Sequence, residues 1–206
     1  MTEENNGKLL IEDGKGVTEA VEVAPGKHVV IFDLDKTLCD TRHRDHLMPP
    51  KGTTNSAAYD ETTALCWKDG PIWDTIALLM MLAAMNHIIV LKTGRTEKFR
   101  LMTVNWLTYL GVHFNGLIML PDEFDGDYGQ WKADMLNHEL IGGANRVLCV
   151  FDDHPDAVAA YTKAGVTCYM VPPYNGQALD SPLLGQGLYD TVEFEPVDDD
   201  EGESWV

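Results

Sequence analysis

HVVIFDLDKTLCD, residues 28 to 40, decides how the rest of the chain is read. Its first half is a short β-branched and aromatic run, which reads as a strand buried on both faces. Its second half places two carboxylates, Asp33 and Asp35, two residues apart where that strand ends. Like charges held that close repel unless something neutralises them. A lone pair of this kind also fits turn-forming or helix-capping acids, so its meaning depends on the residues at the ends of the other strands.

Downstream, apolar runs alternate with helical periodicity. Ile72, Ile76, Leu79, Leu82 and Ala83 share one helical face, with Pro71 suited to the first helical position. HIIVL (87–91) reads as a second strand, and Glu97 to Leu110 as a helix stopped by Gly111. FNGLIML (114–120), RVLCVF (146–151) and VTCYMV (166–171) are further strands. They are separated by helices from Gln130 to Leu140, stopped by Gly142 and Gly143, and from Pro155 to Ala164, with Gly165 at the end. Strands alternating with such helices predict right-handed crossovers and a mostly parallel sheet of about five strands in a three-layer α/β sandwich.

Three regions lie outside or around this pattern. Residues 1–27 read as a polar arm, with one short strand around Val17 to Val23; 28–175 read as the folded domain; 176–206 read as an acidic, solvated tail. Within the domain, residues 40–70 lack periodicity and contain Pro49, Pro50, Gly52 and Gly70, which points to a small cap or substrate-facing insertion.

Composition narrows the function. The 206 residues carry a formal charge of −18, and even the stretch 28–189 has 19 acids against 12 Lys and Arg. That is not the basic footprint of a protein tracking a duplex, although a local basic cluster can still hold a phosphate. No apolar run approaches the ~18 residues of a membrane span. The N-terminus lacks the pattern of a secretory signal. The four cysteines show no CxxC spacing, so a reduced, cytoplasmic setting is expected rather than a disulfide or zinc framework.

Polar residues succeed the strands in order: Asp33 and Asp35, then Lys92-Thr93-Gly94-Arg95, then Asp152 and Asp153. In open parallel sheets, ligands bind beyond the carboxyl ends of the strands. Carboxylates converging there call for a divalent cation, and hard oxygen ligands suit Mg²⁺.

This ordered set resembles the haloacid dehalogenase (HAD) superfamily, mostly phosphohydrolases. Asp33, Asp35 and Thr37 match its Asp-x-Asp-x-Thr motif, Thr93 its second-strand hydroxyl, Lys132 its lysine, and Asp152 with Asp153 its acidic pair. The resemblance implies that Asp33 attacks phosphorus and that Asp35 handles the proton. It implies that Thr93 and Lys132 meet the phosphoryl charge. It also implies that Asp152 and Asp153 hold Mg²⁺ with an Asp33 oxygen and the Asp35 backbone carbonyl. Other readings are a helix cap for one acid of the pair, a strand-end hydroxyl bonding its own turn for Thr93, and a solvated surface lysine for Lys132. The chain departs from the family at Lys36, where Gly is usual.

A narrower resemblance is to the phosphatase half of phage polynucleotide kinase/3′-phosphatases. DLDKTLCDTRHR, HIIVLKTGRTEKFR, NWLTYLGV, QWKADML, VFDDHPDAV and AGVTCYMV carry it. It implies a phosphomonoester substrate on a nucleotide or a nucleic-acid 3′ end. It implies that Gly94 and Arg95 lie at the phosphate or sugar-phosphate, and that Arg42, His43 and Arg44 line the entrance. No Gly-x-x-x-x-Gly-Lys-Ser/Thr occurs, so no kinase half is expected in these residues. Trp67, Trp73, Trp106 and Trp131 are candidates for a base-stacking platform, Trp106 also fitting a core position. The competing functions are a 5′-nucleotidase or small phosphometabolite phosphatase, and a non-catalytic binding protein on the same fold.

Overall fold

The computed structural model describes residues 28–175 with their side chains, together with the backbone of two strands, β1 (Lys8–Glu12) and β2 (Val17–Glu22). These two pair antiparallel; the second is the short strand expected near Val17. The acidic stretch 176–206 lies outside the described residues.

The domain is a five-stranded sheet with helices on both faces. β3 (Val29–Phe32) leads directly into Asp33. β4 (Cys39–Asp40) and β5 (Gly70–Pro71) pair antiparallel with each other, away from the main sheet. α1 (Asp60–Thr63) and three short 3-10 segments lie between them. Then come α2 (Trp73–Ala84), β6 (Ile88–Thr96), α3 (Arg100–Tyr109) and β7 (Gly116–Leu120). α4 (Tyr128–Asp134), β8 (Val147–Asp152), α5 (Pro155–Lys163) and β9 (Cys168–Met170) complete the order. The strand order is β7-β6-β3-β8-β9, every pair parallel.

The alternation of side chains in β3 divides the core. Val29 and Ile31 pack with Trp131, Ala157 and Tyr161 on the α4–α5 face. Val30 and Phe32 pack with Ile76, Leu79, Trp106 and Leu107 on the α2–α3 face. All four β3 residues are fully or almost fully buried, as a strand covered on both faces requires. From β3 the chain first builds outward through β6 and β7, then returns to place β8 and β9 on the other side. The order therefore reverses between β3 and β8, where a ligand cleft is expected in such sheets.

Three expectations are corrected. Pro71 does not start a helix: it pairs with Cys39, and α2 begins two residues later. The third helix ends at Asp134, with a 3-10 turn to Asn137 after it, rather than running to Leu140. The second strand runs past Leu91 to Thr96, with an irregular register between Thr93 and Thr96 opposite Met119 and Leu120. That irregularity is a bulge at Gly94-Arg95, and bulges re-aim side chains.

The insertion 40–70 is tied at its neck by the β4–β5 pair. A backbone hydrogen bond from Ile72 to Leu38 fastens its exit to its entry. Among the described residues, no helix is long and apolar enough to cross a membrane.

Candidate active site

Asp33 and Asp152 end the two strands that flank the reversal of sheet order, and the Asp33 amide donates to the Phe151 carbonyl at 2.9 Å. One ligand oxygen each from Asp33, Asp152 and Asp153 falls within 4.8 Å of the others. Lys132, on α4, reaches this cluster from the side. Its ammonium donates to Asp33 and, at 2.7 Å, to Asp152 Oδ2. Lys132 is wholly buried, so its charge is spent on these carboxylates rather than on solvent.

The electrostatics follow from burial. Asp33 is pushed well above the ordinary carboxylate range, first by burial; Lys132 opposes the shift, while Asp152 and Asp153 add to it. Asp153 is raised to about 6, again mainly by burial and then by Asp152. Such a group of acids favours a cation among them.

A second cluster fixes Asp35. Arg44 and Arg95 both donate to Asp35 Oδ1, at 2.8 and 2.6 Å through their Nη2 atoms. Both also donate to Asp69 Oδ2, each at 2.7 Å. Burial resists ionisation of Asp35, but Arg95 and then Arg44 overcome it and hold the carboxyl below its usual range. The arginines also occupy the carboxylates of the Asp35, Cys39 and Asp69 group, which would otherwise have metal-ligand spacing.

Thr93 is fully buried, and its Oγ1 accepts from the Arg95 amide at 3.1 Å, so its own proton remains available to donate. Gly94 lies against Tyr128: a Cβ there would meet the ring at 3.0 Å. Tyr128 in turn lies over the Lys132 ammonium, 5.1 Å from ring centre to nitrogen, and edge-on to His154. Thr37 is fully buried and its hydroxyl has no partner among the described residues.

A model of the HAD-type phosphatase domain of polynucleotide kinase PNKP matches residues 27–175. The chain belongs to this family. Two solved structures share its architecture. The Pnkp1/Rnl/Hen1 complex matches at 21% identity and a TM-score of 0.57, over 72% of this chain and 47% of that one. The Pnkp1/Rnl/Hen1 RNA repair complex matches at 22% identity and a TM-score of 0.56, over 75% and 45%. The chain thus spans less than half the length of those relatives, and at this identity the likeness shows the fold alone. Comparison with curated proteins by sequence finds no match.

In this phosphatase domain, Asp33, Lys132, Asp152 and Asp153 gather around one point, and Thr93 lies buried on β6, the strand beside β3. Three neighbouring residues do not lie where expected. Arg95 is not directed at the cleft, because the bulge turns its guanidinium beneath Asp35, where it is 1% exposed. Arg44 does not line the entrance: it is buried and shares the same two carboxylates. His43 turns its Nε2 to Asp69 Oδ1, 2.9 Å away. Arg42 is exposed, paired with Asp40 and 5.0 Å from the Tyr174 ring centre. Two buried guanidiniums need two buried carboxylates, and that requirement overrides any outward role for Arg44 and Arg95.

Lys36 adopts φ +64 and pairs with Asp45 at 3.2 Å. Of the four candidate tryptophans, Trp106 and Trp131 are core residues and Trp73 packs against the core, while Trp67 is half-buried in the insertion. Trp106 Nε1 donates to the Asp69 carbonyl.

Sequence reasoning missed Asp69 and Tyr128 altogether. Asp69 precedes Gly70-Pro71 and reads as an ordinary turn acid. The charge count explains its place: Arg44 and Arg95 together carry one more positive charge than Asp35 alone balances.

Proposed function

We propose that this domain hydrolyses phosphomonoesters through an aspartyl-phosphate on Asp33, with a nucleotide or nucleic-acid 3′-end phosphate as substrate. The observation that carries the chemistry is the pair of unlike environments for two carboxylates two residues apart. Asp33 sits among acids and one buried lysine, open to a cation. Asp35 is fixed by two arginines, with a third of its side chain exposed to the cleft.

An oxygen of Asp33 attacks phosphorus, and the bond to the leaving oxygen breaks. Asp35 gives that oxygen its proton, releasing an alcohol. Alone, the arginines hold Asp35 ionised; an incoming phosphate dianion beside it raises its affinity for a proton. In the second half, Asp35 takes a proton from water, the water oxygen attacks phosphorus, and Asp33 is regenerated as phosphate leaves. Thr93 donates to a phosphoryl oxygen, and Lys132 screens the charge shared by nucleophile and phosphate.

Asp152, Asp153 and one Asp33 oxygen would hold Mg²⁺. The fit rests on three convergent, largely buried carboxylates, two of them raised in pKa by burial and by their acidic neighbours. When bound, Mg²⁺ supplies charge neutralisation to the carboxylates and phosphoryl oxygens.

Support for the substrate class comes from the family match and from likeness to proteins named for RNA repair. A chain end needs only one or two nucleotides bound, which suits an acidic protein. The test is phosphate release with Mg²⁺, with and without EDTA, from a 3′-phosphorylated oligonucleotide, nucleoside 3′- and 5′-monophosphates and an aryl phosphate. Turnover of the oligonucleotide, lost in EDTA and in Asp33→Asn, is expected. Turnover of monophosphates alone moves the substrate to the nucleotidase reading. No turnover by folded, Mg²⁺-binding protein favours a binding role.

A further inference from the structure

Lys92 is wholly buried on β6, one residue before Thr93. Its ammonium makes one hydrogen bond, to the backbone carbonyl of Lys132 at 2.6 Å, and lies 4.6 Å from the centre of the Tyr161 ring. It forms no ion pair among the described residues. The Tyr161 hydroxyl is buried and has no partner among the described residues, so it does not bond the lysine either. Burial, and after it the Lys132 charge, pushes this ammonium well below the usual lysine range. An apolar side chain of the same length would fill the space with less desolvation.

What Lys92 does accomplish is geometric. α4 has seven residues, too few to be stable alone. Lys92 supplies an N–H donor to one of its last-turn carbonyls, that of Lys132. The carbonyl it takes belongs to the residue whose ammonium meets Asp33 and Asp152. Lys92 also adjoins Thr93 in the chain. It therefore links the strand that carries the phosphate-facing hydroxyl to the helix that carries the phosphate-facing ammonium.

We propose that Lys92 is a positioning residue, retained to fix the Lys132 ammonium against Asp33 and Asp152 and in register with Thr93. The proposal rests on the phosphatase reading for its kinetic consequence, though not for its geometric one. A cation placed a fraction of an ångström off line still binds substrate but stabilises the transition state less.

The experiment compares wild type with Lys92→Met and Lys92→Gln. Melting temperature, steady-state kinetics on an aryl phosphate and the Lys132 side-chain ammonium resonance in lysine-labelled protein are measured together. Lys92→Met is expected to melt at or above the wild-type temperature, while kcat falls about 10- to 100-fold and KM stays within about threefold. The Lys132 resonance is expected to shift or broaden. Gain of stability with loss of turnover is a pattern that a purely structural lysine does not give. Unchanged kcat with an unchanged Lys132 resonance overturns the proposal. So does a fall in kcat that only tracks the melting temperature, or loss of fold in both variants. If wild type hydrolyses no phosphomonoester, the phosphatase reading fails, and the resonance still tests the positioning.

Discussion

Arg95 and Asp69 form an ion pair at 2.7 Å in which neither side chain has any exposed surface. The pair is not isolated, because Arg44 donates two further hydrogen bonds to the same carboxylate. Asp69→Asn should leave two buried guanidiniums sharing Asp35 alone. Removing one partner from such a buried set typically costs about 3–5 kcal/mol. A urea midpoint corresponding to a loss below about 1 kcal/mol would show that the cluster is solvated enough to manage without Asp69.

Gly129 lies where α4 packs against α5. A Cβ added there would lie 2.7 Å from the Asp156 carbonyl oxygen, a backbone atom that cannot swing aside. Gly129→Ala should therefore push α4 off α5 and destabilise the domain by about 1–3 kcal/mol. Because α4 carries Lys132, turnover should fall with it. A variant as stable as wild type would mean that the helices separate freely.

Lys36 holds a left-handed conformation, φ +64, immediately after Asp35. That conformation costs a residue bearing a Cβ roughly 1–2 kcal/mol, part of which glycine loses again through a freer unfolded chain. The exposed Lys36–Asp45 pair contributes little. Lys36→Gly should raise stability by about 0.5–1 kcal/mol, read as a higher denaturant midpoint at unchanged slope. A lower midpoint would show that the lysine side chain outweighs the strain.

Metal-free protein should gain stability as pH falls from about 7 toward about 5. Asp153 titrates at about 6 in the folded state against an ordinary 3.8, chiefly through burial. The folded protein thus binds this proton more tightly than the unfolded chain. The associated stability is full below the ordinary value and disappears as pH rises through about 6. Asp33 acts with the same sign, while Asp35, depressed by its arginines, acts oppositely only under more acidic conditions. Melting curves across this range should show the slope, and Asp153→Asn should flatten it. Added Mg²⁺ should stabilise more at pH 7.5 than at pH 5.5, because it competes with protons for the same oxygens.

The sheet was legible because β3, β7, β8 and the first half of β6 are short apolar runs separated by helix-length spacers. The site was legible as far as it depends on strand ends, which is why Asp33 and Asp152, at the ends of neighbouring strands, could be placed together. Arg95 was misplaced because its direction depends on a bulge, which sequence alternation does not encode. Asp69 was missed because its partners Arg44 and Arg95 lie 25 and 26 residues away, on either side of it in the chain, with an insertion lacking periodicity between. Pro71 carried a genuine helix-start signal, but pairing with Cys39 claimed it first.

The insertion between β4 and β5 has its ends tied together, which makes it look detachable from the sheet. Arg44 lies within it and donates to Asp35, so the insertion also sets the proton affinity of that carboxyl. A substrate large enough to shift the insertion would draw Arg44 away, and Asp35, losing that positive charge, would bind a proton more tightly. The dimensions of the ligand and the acidity of the catalyst are thereby joined in one mechanical linkage. Exchanging the insertion for a longer or shorter one would retune the chemistry along with the choice of substrate.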